Sequence, residues 1–123
     1  MPDQPAERRG APRYPVMMDA QTTDLITRSV IKLRCSDISR SGCYLDTLNP
    51  VDPGIALWVQ MEHGGRVFEA QARVAYMVSR LGMGLEFALP IPEEQFVILN
   101  EWIEEAVASS KPLPSSFGVS APR

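Results

Sequence analysis

The chain has 123 residues, 22% of them charged and 45% apolar, which suits one globular domain with a core of its own. A net charge of −3 argues against a nucleic acid polymer as partner, so any anion bound here needs a local cluster of cations. Two cysteines and one histidine, in no metal-ligand spacing, leave no zinc site or disulfide framework; no apolar run is long enough to insert in a membrane, and the first residues lack the apolar core of a signal peptide. A reduced, cytoplasmic domain is expected.

Residues 1–12, rich in Pro, Gly and charge, read as a flexible N-terminal arm. Alternation begins at Arg13, with Tyr14, Val16 and Met18 on one face of a first strand, and the polar run Gln21–Asp24 is expected to turn the chain. Ile31, Leu33 and Cys35 share one side of a second strand, opposite Lys32 and Arg34. Asp37–Gly42 interrupts the rhythm, and Cys43, Tyr44 and Leu45 resume it as a short third strand. The turn-rich Asn49–Gly54 leads into a fourth strand with Ile55, Leu57, Val59 and Met61 aligned. His63-Gly64-Gly65 marks a tight hairpin. The returning strand places Phe68, Ala70, Ala72, Val74, Tyr76 and Val78 on one face. A further hairpin at Ser79–Gly82 precedes a sixth strand with Met83, Leu85 and Phe87 inward.

Six strands with short connections predict an antiparallel meander or small barrel, closure being one way to remove exposed edges. The period then changes. Pro92, Glu93 and Glu94 suit the first turn of a helix, and Phe96, Leu99, Trp102, Ile103, Ala106 and Val107 recur at helical spacing. This helix is expected to cap the barrel, giving a body over residues 13–108, and the Ser/Pro-rich residues 109–123 read as a disordered tail.

Two short segments carry the chemistry. Arg9-Gly-Ala-Pro-Arg13 holds two arginines four apart, preceded by Arg8, and Asp37-Ile-Ser39-Arg-Ser-Gly42 interrupts the strand pattern. An arginine pair in a flexible arm is by itself only solvated charge, and Asp37, Ser39 and Gly42 alone could form a capped turn with glycine supplying a positive φ. Together, in this order on an all-β pattern, they resemble the RxxxR and [D/N]xSxxG motifs of the PilZ domain family. Ala72-Arg73-Val74 and Gly82-Met-Gly84-Leu-Glu-Phe87 resemble its later strands, so the likeness runs from Glu7 to Ala108, with Ala72 standing where the family often has glycine.

The resemblance implies a six-stranded antiparallel barrel with a C-terminal helix, and cyclic di-GMP as ligand. It implies Arg8, Arg9, Arg13, Asp37, Ser39 and Gly42 as the ligand-binding residues, with no other cofactor. Arginine suits such a ligand because its planar fork pairs with phosphate, stacks on bases and reads the guanine O6 and N7 edge. Asp37 can accept from guanine N–H groups, Ser39 can donate, and Gly42 can let a ligand approach the backbone. Arg8 takes the place where a bulky apolar residue in the family favours a single ligand molecule, so an intercalated ligand pair is the finer expectation.

With no output domain in the chain, a receptor must act through a downstream protein partner; the alternative is a ligand-independent interaction adaptor. No nucleophile–base pair or phosphate-cradling loop supports an enzyme. Cys35 and Cys43 read as small core residues, His63 as an exposed loop residue, and Trp58 as lying under the helix or on a partner surface.

Overall fold

The computed structural model describes residues 11–110. Six strands precede one helix: β1 (Tyr14–Asp24), β2 (Val30–Ile38), β3 (Gly42–Asp46), β4 (Ala56–His63), β5 (Arg66–Val78), β6 (Gly82–Phe87) and α1 (Glu93–Ser110). All neighbouring strands are antiparallel, and they close into a barrel in the order β1-β2-β3-β6-β5-β4. It is not a plain meander, because β3 crosses to β6 and β1 closes on β4.

The inner face is the alternating apolar set that the sequence carries. Met18, Ala20, Cys35, Leu45, Val59, Met61, Phe68, Val74, Met83 and Phe87 are buried together, and burial of such side chains contributes about 1.5–3 kcal/mol each for the larger ones. Cys35 and Cys43 are free thiols in this core. A hydrogen bond from the Cys43 thiol to Cys35, with burial, pushes the Cys43 thiol well up and keeps it protonated.

Gln21–Asp24 does not turn. These residues are the last of β1, with β-branched Thr22 only 2% exposed inside the barrel. The turn follows, built by the Asp24 carboxylate, which accepts from the N–H groups of Ile26 at 2.8 Å and Thr27 at 2.9 Å, and closed by Arg28 at a φ of 69°. The β4–β5 hairpin is as expected, with Gly64 and Gly65 at φ values of 62° and 78°.

The helix covers one end of the barrel, packing on β5 and β1. Leu99, Trp102, Ile103 and Ala106 are buried, while Phe96 and Val107 sit at the rim, each 36% exposed. Trp102 lies 6.3 Å from Phe68 between ring centroids and meets His63 edge-on at 6.0 Å. His63 is therefore not simply a solvated loop residue: its ring packs on the helix, with Nε2 3.5 Å from Glu105. Arg66 pairs with Glu101, and the Gln95 side chain accepts from the Glu69 N–H at 2.8 Å. Trp58 is on the outer face, in register with Thr23 and Gln71 and away from the helix.

Candidate functional site

Three β-bulges shape the barrel, and two of them build the site. One interrupts β2 between Cys35 and Asp37, so that Cys35 and Ile38 both point inward while Asp37 stays at the surface. The other interrupts β5 between Val74 and Tyr76. Alternation alone puts Tyr76 and Val78 inside. The extra residue, Ala75, turns Tyr76 out instead, leaving it 41% exposed and Val78 39% exposed, and Met77 packs against the core in their place.

Arg13, just before β1, meets both outward residues. Its Nη2 donates to Asp37 Oδ2 at 3.1 Å and to Tyr76 Oη at 3.0 Å, and its Nε lies 3.4 Å from Asp37 Oδ1. The bond to Tyr76, opposed by partial burial and joined by Asp37, raises the affinity of the guanidinium for its proton. The Tyr76 ring lies against Gly84, where a Cβ would come within 2.3 Å of its Cε1, and at Gly82 a Cβ would meet the Leu45 carbonyl oxygen at 2.4 Å and the Tyr44 ring at 2.7 Å. The two tyrosine rings stand 6.2 Å apart. Partial burial, with the nearby acidic groups, pushes the Tyr44 phenol up.

The Ser39–Gly42 loop faces Arg13 across a cleft of about 530 Å³. Ser39 is 5% exposed, and its hydroxyl accepts from the N–H groups of Ser41 and Gly42, both at 3.1 Å. These bonds cap the turn and fix the loop. Asp37 caps nothing in that loop; its carboxylate is turned to Arg13. Gly42 is not in the positive-φ region. It is required for another reason: it pairs with β6 so closely that a Cβ would sit 1.9 Å from the Leu85 carbonyl oxygen.

The cleft is also lined by Ala11, Ser41, Arg73, Ala75 and Glu86. Arg73 is 61% exposed at its side chain and donates to Glu86 at 2.8 Å. Arg13, Ser39 and Gly42 are thus brought to one cavity, with Asp37 at its edge through Arg13. Arg8 and Arg9 lie outside the described residues. Tyr76 and Arg73 escaped the motif reading, although two glycines within one strand, Gly82 and Gly84, do signal a close approach by something bulky. Two guanidinium groups beside an aromatic ring suit a planar, anionic guest. Among the described residues no cluster of His, Cys, Asp or Glu could hold a metal ion, and no helix is long and apolar enough to cross a membrane.

A six-stranded antiparallel barrel capped by one C-terminal helix, with an arginine–carboxylate pair beside a Ser-fixed loop, defines a class of small helix-capped barrels. Residues 7–105 match the PilZ domain family, and the chain belongs to it. The PilZ domain with c-di-GMP of YcgR from Escherichia coli superposes with a TM-score of 0.69 at 18% identity, covering 84% of this chain and 94% of that one. The Bacillus subtilis inhibitor of motility, MotI/DgrA, also gives 0.69, at 17% identity over 90% of this chain and 58% of that one. The PilZ domain of CeSA from a cellulose synthesizing bacterium gives 0.60 at 12% identity, over 81% and 99%. No curated protein matches the chain by sequence.

Proposed function

We propose that this protein is a receptor that binds cyclic di-GMP in the cleft between Arg13 and the Ser39–Gly42 loop, and reports its occupancy to a partner protein. The observation that carries this is convergence: Arg13 and the second motif, 24 residues apart between Arg13 and Asp37, meet at one cavity that also holds Tyr76 and Arg73. Arg13 supplies cationic N–H donors for a phosphate or a guanine edge. Asp37 orients it, while Ser39 and Gly42 shape the opposite wall.

Arg8 and Arg9 complete the site from residues 1–12. Ala11 already lines the cleft, and Arg9 is two residues away, a reach of at most about 7 Å along the chain. The arm closes over the ligand on binding, and that change is what a partner reads. A ligand shifts such an equilibrium only by favouring one arm position over the other. The two buried free thiols suit the reducing cytoplasm, and the cleft binds without catalysing a reaction.

Isothermal titration with cyclic di-GMP, with GTP and cyclic di-AMP as controls, tests the proposal. Selective binding at or below the micromolar range, with one or two messengers per chain, supports it. Absence of heat and of any thermal shift at high messenger concentration would overturn it and leave the ligand-independent adaptor. A stoichiometry of one would overturn the intercalated ligand pair alone.

A further inference from the structure

We infer that Tyr76, which lies outside both sequence motifs, is a positioning residue that sets the Arg13 guanidinium for the incoming messenger. This deepens the receptor reading and rests on it. A guanidinium has five N–H donors. In Arg13, the Nε hydrogen and one Nη2 hydrogen face Asp37, and the other Nη2 hydrogen is taken by Tyr76 Oη at 3.0 Å. Nη1 makes no hydrogen bond to any described residue. The group is therefore held along one edge, leaving its two Nη1 donors for a ligand. Asp37 alone could hold it, but the Nε contact is long at 3.4 Å. The phenol supplies a second anchor, from a different strand.

Two further features show that the anchor is built into the fold. The bulge at Ala75 is what turns Tyr76 out of the barrel, and bulges recur beside sites where a side chain must be re-aimed. Gly84, directly across on β6, is the only kind of residue that lets the ring lie where it does, because any Cβ there would strike Cε1 and Cζ at 2.3 and 2.5 Å. Holding a cation at one edge before binding removes part of the ordering cost that a free side chain incurs on binding.

The test is a cycle of four proteins, wild type, Tyr76→Phe, Arg13→Ala and the double variant, each titrated with cyclic di-GMP. Phenylalanine keeps the ring and removes only the acceptor. Tyr76→Phe is expected to bind about tenfold more weakly than wild type, at an unchanged melting temperature, and to add no loss in the Arg13→Ala background. Equal affinity for Tyr76→Phe and wild type would overturn the inference, and so would an equal loss in both backgrounds. Gly84→Ala, which displaces the ring by another route, should weaken binding in the same Arg13-dependent way. Rotation of the Arg13 guanidinium, followed by NMR in the messenger-free protein, gives a readout independent of the ligand. It should be slow in wild type and freed in Tyr76→Phe. Free rotation in wild type would overturn the anchor itself. Slow rotation in a wild type that binds no messenger would retire the receptor reading, and the messenger as guest with it, while leaving the anchor in place.

Discussion

At the scale of single residues, the site makes demands that a motif does not state. Asp37 and Arg13 form a partly exposed pair, with side-chain exposures of 27% and 49%, and such pairs contribute little to folding. Asp37→Asn should therefore leave stability within about 0.5 kcal/mol while weakening cyclic di-GMP binding. Arg13→Ala should cost binding one to two powers of ten, about 1.5–3 kcal/mol for a charge-assisted contact. Titration beside thermal melts separates the two effects. Gly42→Ala should behave in the opposite sense. Its Cβ collides with the Leu85 carbonyl, so the β3–β6 pairing must shift. The expected loss is about 1–3 kcal/mol of stability in a denaturant melt, before any ligand is added. Asp24 gives a pH signature. Hydrogen bonds from the Thr27 and Ile26 N–H groups hold its carboxyl below the usual value of 3.8. The folded form thus binds this proton less tightly than the unfolded one. Its stabilisation is complete above pH 3.8 and is lost as pH falls through the lower folded value. Asp24→Asn should be less stable at neutral pH and lose less on acidification, as melts from pH 7 downward would read.

Elements were legible in the sequence to the extent that their pattern is periodic. β4, the β4–β5 hairpin and β6 follow from alternation and glycine placement, because a half-buried strand shows one face to water and one to the core. The breaks in period were not legible. A bulge is a backbone event with no side-chain signature of its own, so plain alternation passes through Ala75 as one more step and places Tyr76 inside. Gln21–Asp24 looked like a turn because it is polar, yet only Thr22 of that run is fully buried, and the strand continues through it. A positive φ at Gly42 fails for a related reason: the sequence names a glycine but not the strand that will press against it. The helix was clear in period and less so in depth, since Phe96 and Val107 lie at the edge of its buried stripe. Trp102 sits at the centre of that stripe, 2% exposed against Phe68. Trp102→Ala should cost about 3–5 kcal/mol. Because the helix seals the barrel end, far-UV circular dichroism and Trp58 fluorescence should report one coincident transition at the lower midpoint. Two separated transitions would mean that the helix undocks from an intact barrel.

For the whole molecule, the consequence of the site is a coupling between ligand and fold. The cleft draws on the approach to β1, the β2–β3 loop, β5 and β6, and so exists only when the barrel is closed. The unfolded chain scatters Arg13, Ser39, Arg73 and Gly84 and has no comparable affinity. A ligand that binds only the native state stabilises it by RT ln(1 + [L]/Kd), about 2.7 kcal/mol at a hundredfold excess over Kd. Cyclic di-GMP should accordingly raise the melting temperature of the wild type by several degrees, in logarithmic proportion to its concentration. Arg13→Ala should need one to two powers of ten more messenger for the same rise. Salt sharpens the test. The net charge of −3 opposes an anionic guest at long range, while the arginines attract it at short range. Added salt screens both, but the contacts inside the cleft are screened less than the distant repulsion. The thermal shift should therefore hold or rise slightly between low and physiological ionic strength. A steep fall would place the anion on the exposed Arg73 side of the cleft rather than against Arg13, Tyr76 and the Ser39–Gly42 loop.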